Sequence, residues 1–85
     1  MVSKNELQVF KNYITWLFYG DRNNAVVECY NDYRRGNTPS ENLEQFELLP
    51  NNENTLKTIL NDNEYLECMY GYCEEEINQW LKEVK

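Results

Sequence analysis

Cys29, Cys68 and Cys73 are the only thiols in this chain of 85 residues, and nucleophilic or metal chemistry would have to start from them. A thiol becomes a strong nucleophile or ligand when a neighbouring cation or base lowers its pKa, yet none of the three has Lys or Arg beside it in sequence. Histidine is absent altogether. That excludes Ser-His-Asp and Cys-His arrangements, and a zinc ion would have to take a fourth ligand from a carboxylate at a spacing that fits no ordinary site. On one continuous helix Cys68 and Cys73 would point about 140° apart with Cα atoms about 8 Å from each other, too far for a disulfide. The expectation is three reduced thiols, with Cys29 and Cys73 as small buried side chains and Cys68 exposed.

Other catalytic patterns are missing too. The three glycines are isolated, so no loop cradles a phosphate. Asn61-Asp62-Asn63-Glu64 has the look of a calcium loop, but Tyr65 and Leu66 follow where the glycine of such a loop is required. Carboxylates are too abundant for any pair to stand out, and helical surfaces rarely supply the cleft that raises a carboxylate pKa. Neither enzyme activity, nor a cofactor, nor a metal is expected.

What remains is charge. Residues 1 to 40 carry five Lys/Arg against four Asp/Glu, whereas residues 41 to 85 carry three against eleven, within a net charge of −7. An acidic chain of this kind does not suit direct contact with nucleic acid or an anionic membrane. A basic protein is the fitting partner, such as a nuclease or another nucleic-acid-binding effector. The candidate contact residues are Glu64, Tyr65, Glu67, Tyr72, Glu74 and Glu75, where carboxylates would pair with Arg and Lys while tyrosines add apolar area at low entropy cost. A second candidate surface is the apolar cluster Val9, Tyr13 and Trp16.

In size, charge and its abundance of Asn, Tyr and Glu, the chain is similar to the small acidic anti-restriction and anti-CRISPR proteins that phages and mobile elements use against host nucleases. The resemblance implies a non-enzymatic inhibitor that occupies a basic, nucleic-acid-binding site, acting in the host cytoplasm if phage-encoded. A toxin-immunity protein or antitoxin, and a small regulatory helical subunit, are the alternative readings. Contact with DNA through Arg34 and Arg35 would require the positive end to be sharply segregated.

The elements that must position these residues read as helices. Leu66, Tyr70, Cys73, Ile77, Trp80 and Val84 step by four and three residues along one narrow stripe, which predicts a long C-terminal helix opened by Asn63 and continuous through Gly71. Ser3 and Glu6 form a capping box for a first helix that carries Leu7, Phe10, Ile14, Leu17 and Phe18 on one face and stops at Gly20. Val26, Cys29, Tyr30 and Tyr33 line up in a second helix ending at Gly36, with a short strand over Ala25–Tyr30 as the competing reading. Thr38-Pro39-Ser40-Glu41 starts a third, carrying Leu43, Phe46 and Leu49, and Leu56, Ile59 and Leu60 mark a short fourth. The expected fold is thus a compact all-α bundle of about five helices in a single domain, residues 1–85. No apolar run approaches the roughly 18 residues of a membrane span and no signal segment opens the chain, so it reads as cytosolic.

Overall fold

A computed structural model describes residues 2–36 and 49–84. They form four α-helices, α1 (Lys4–Tyr19), α2 (Asn23–Arg35), α3 (Glu53–Leu60) and α4 (Asn63–Glu83), with no strand among the described residues. The all-α class is as expected, and among the described residues the count is four where the pattern over the whole chain suggested about five. The expected helix from Thr38 lies outside the described residues apart from Leu49, which packs half-buried against the core.

Local chemistry sets the helix ends. At α1, Ser3 Oγ accepts from the Glu6 N–H at 3.1 Å while Glu6 Oε1 accepts from the Ser3 N–H at 3.2 Å, and these Ser3 hydrogen bonds hold the Glu6 carboxyl below the usual range. Gly36 ends α2 in the left-handed region at φ 80°, where a residue with a Cβ would be strained. Asn52 caps α3 by accepting from Thr55 N, and the Thr55 hydroxyl donates back to the Pro50 carbonyl. α4 begins one residue earlier than the pattern implied: Asp62, not Asn63, accepts the Tyr65 N–H at 3.1 Å. An aspartate there also places negative charge against the positive end of the helix dipole.

α1 is the central helix, packing most extensively on α4, then on α2, and reaching α3. Phe10 from α1, Ile59 from α3, and Leu66 and Ile77 from α4 are essentially enclosed and form the middle of the core. Ala25–Tyr30 is helical, since Val26, Val27 and Tyr30 are covered on one side by α1 and no neighbouring strand offers the ladder partners a sheet would need. α4 runs unbroken through Gly71 for 21 residues, about 31 Å at 1.5 Å per residue. Its seam holds from Leu66 to Trp80 but not to Val84, which lies past the helix end and is 47% exposed because no neighbour covers it.

Candidate functional site

The buried arc of α4 leaves its opposite side to solvent, and the expected acids lie there. Glu64, Glu67, Glu74 and Glu75 are all exposed, and at 100° per residue they share an arc about 100° wide with Gly71 and Asn78. The ion pair among the described residues is Arg35 with Asp32, at 3.3 Å, so none of these four glutamates is neutralised by a neighbouring cation. Glu64 and Glu67 are instead a like-charged pair three residues apart, which opposes the helix slightly. Tyr72, 78% exposed, stands at the border of this face as expected.

Tyr65 does not belong with them. It is buried, packed edge-on against Tyr30 at 4.8 Å and Tyr33 at 4.9 Å. The wheel placed it away from the seam because a single stripe assumes one neighbour; the first turn of α4 is covered by α1 and by the tyrosines of α2, which widens the buried arc. Asp62 organises this junction, with Oδ1 capping α4 and Oδ2 accepting the Tyr30 hydroxyl at 2.7 Å. Burial first, then that hydrogen bond to a carboxylate, pushes the Tyr30 phenol up to about 12. Burial drives the Tyr65 phenol up as well. Sequence reasoning missed Asp62, and the signal available was an Asp directly before the first residue of the helix, a favoured capping type.

The cluster Val9, Tyr13 and Trp16 is divided. Tyr13 is core, Val9 is half-buried against the core, and Trp16 alone is exposed, at 47%. Trp16 meets Trp80 of α4 at 5.9 Å between ring centroids, and Tyr13 lies 5.5 Å from Trp80. The Trp80 indole N–H is buried without an acceptor among the described residues.

Cysteine placement departs from expectation at Cys29, which is exposed rather than buried, and in part at Cys73, which is half-buried, while Cys68 is exposed as expected. Cys29 and Cys73 nevertheless line one apolar groove of about 160 Å³ between α1, α2 and α4, with Tyr65 and Met69 among its walls. Desolvation by those walls raises both thiols, which disfavours the thiolate that nucleophilic chemistry needs. No group of three or more Cys, Asp or Glu suited to a metal ion occurs among the described residues. Both arginines of α2 have partners within the chain. Arg35 has a buried side chain bonded to Asp32, and the Arg34 guanidinium lies over the Tyr30 ring at 5.9 Å. No described helix is long and apolar enough to cross a membrane.

No protein-family model, curated protein or solved structure matches this chain.

Proposed function

We propose that this protein is a non-enzymatic acidic interaction module whose α4 carboxylates occupy a basic, nucleic-acid-binding site on a partner protein, in the manner of anti-restriction and anti-CRISPR inhibitors. The observation that carries the reading is the exposed, unpaired row Glu64, Glu67, Glu74 and Glu75 on one face of an unbroken helix. Carboxylates already bonded to their own lysines would have little to offer a cationic groove; these four have lost no attraction to internal partners.

Magnitude narrows the kind of groove. From Glu64 to Glu75 the row rises through 11 residue steps, about 16 Å of helix axis, over which duplex DNA carries roughly ten phosphates and one strand roughly five. Four carboxylates therefore match one strand far better than a duplex. The partner site is one that grips a few consecutive phosphates of a single strand, and Tyr72 beside the row suits a place where a base would stack.

Competition tests this. With a partner captured from cells of the native source and then purified, the protein is expected to displace a short single-stranded oligonucleotide from it in a fluorescence-anisotropy assay. Formation of a ternary complex, with the oligonucleotide still bound, would contradict the reading.

A further inference from the structure

The corner where α1 meets the end of α4 carries an exposed aromatic group with acids beside it. Trp16 lies against Trp80, and Glu76 and Glu83, both exposed, stand four residues before and three after Trp80, on its side of the helix. Glu76 is near enough to Tyr13 to raise its phenol further, after the larger effect of burial. Beside Trp16, a shallow hollow of about 370 Å³ runs along α1, lined by Asn12, Thr15, Trp16, Tyr19 and Gly20. Tyr19 is tied there by its hydroxyl to Glu53 Oε1 at 3.1 Å. The cation bordering Trp16 is Arg22, in a separate hollow toward α2. Among the described residues the ring with a stacked cation is Tyr30, at the other aromatic cluster, and Trp16 is stacked on Tyr13 at 6.3 Å with the rest of its ring exposed.

Resting on the basic-partner reading above, we propose that this corner is an arginine-recognition site, in which a guanidinium from the partner stacks on the exposed part of Trp16 and donates to Glu76, while Glu83 is held by the Gln79 amide at 3.3 Å. Charge complementarity selects the occupant. An indole face with carboxylates at its edge attracts a cation, and a planar, weakly hydrated guanidinium uses both features at once where a compact ammonium uses mainly the charge. The hollow beside Trp16 takes the flanking residues of the same segment. This second contact lies around the helix from the Glu64–Glu75 row, so a partner engaging both would wrap the end of α4.

Trp16 and Trp80 are the chain's two tryptophans, so fluorescence excited at the red edge, where the seven tyrosines do not absorb, reports on this corner alone. Titration of the full chain with a short oligo-arginine peptide is expected to give a saturable change, with affinity about fivefold above the oligo-lysine of equal length. Trp16→Ala, followed through Trp80, should remove that preference, Trp16→Phe should keep most of it, and Glu76→Gln should weaken arginine binding about fivefold. Neutralising Glu64, Glu67, Glu74 and Glu75 together should leave the arginine preference in place. Equal affinity for the two peptides, a preference that survives Trp16→Ala, or loss of the signal on neutralising the distant row would overturn the site. So would a dimer seen by sedimentation and abolished by Trp16→Ala, since a second copy would then be the occupant. Should the arginine preference fail while oligonucleotide displacement from the partner persists, only this site falls; the reverse outcome removes the α4 row and keeps the corner.

Discussion

Asp62 makes two demands on one carboxylate, accepting the Tyr65 N–H with one oxygen and the Tyr30 hydroxyl with the other. Asp62→Ala should therefore cost more than a lost cap, about 2–3 kcal/mol in denaturant unfolding, because a cap is worth about 1 kcal/mol and a half-buried phenol loses its acceptor as well. Asp62→Asn, which keeps a cap oxygen, should cost less than half of that. The same contact sets an alkaline limit. Tyr30 is raised from its usual 10 to about 12, so the folded state holds a proton that the unfolded chain has released. Its contribution is complete below about pH 10 and is lost as pH rises toward 12. The unfolding midpoint should drop across that window, and Tyr30→Phe should lessen the drop while Tyr65 and the other phenols raised by burial keep their share; an unchanged profile in that variant would show that the Tyr30 phenol does not contribute.

Among the elements, α4 shows most clearly what periodicity conveys. Its length, its continuity through Gly71 and the exposure of its glutamates were legible in the four-and-three spacing, and so was the Ser3–Glu6 box of α1, because each depends on residues within one turn of each other. Tyr65, Tyr13 and Cys29 were not legible in the same way. Their burial depends on which helix lies across them, and a wheel drawn for one helix contains no information about the crossing of another. Gly71 offers a direct check on α4. A Cβ there meets nothing within 4 Å, so Gly71→Ala should stabilise the protein by about 0.5–1 kcal/mol through helix propensity and a less disordered unfolded chain. Destabilisation in a thermal melt would mean that the backbone at this point needs the freedom of glycine.

For the molecule as a whole, electrostatics and stability pull in different directions. A net charge of −7 on 85 residues opposes compaction, and of the four acids left unpaired on one helix face only Glu64, in the first turn of α4, gains from the helix dipole. Replacing Glu64, Glu67, Glu74 and Glu75 by Gln should leave the melting temperature unchanged or slightly higher, since it relieves like-charge repulsion and removes no hydrogen bond or ion pair found in the structure. Any loss of binding in that variant is then a loss of contact and not of fold. The decisive measurement is the affinity of this fourfold variant for the basic partner, set beside the parent over a series of salt concentrations. Weakening of about a hundredfold at low salt, with a visibly shallower salt dependence, is the predicted result; parent-like affinity and an unaltered salt slope would contradict the assignment of α4 as the surface that meets the partner.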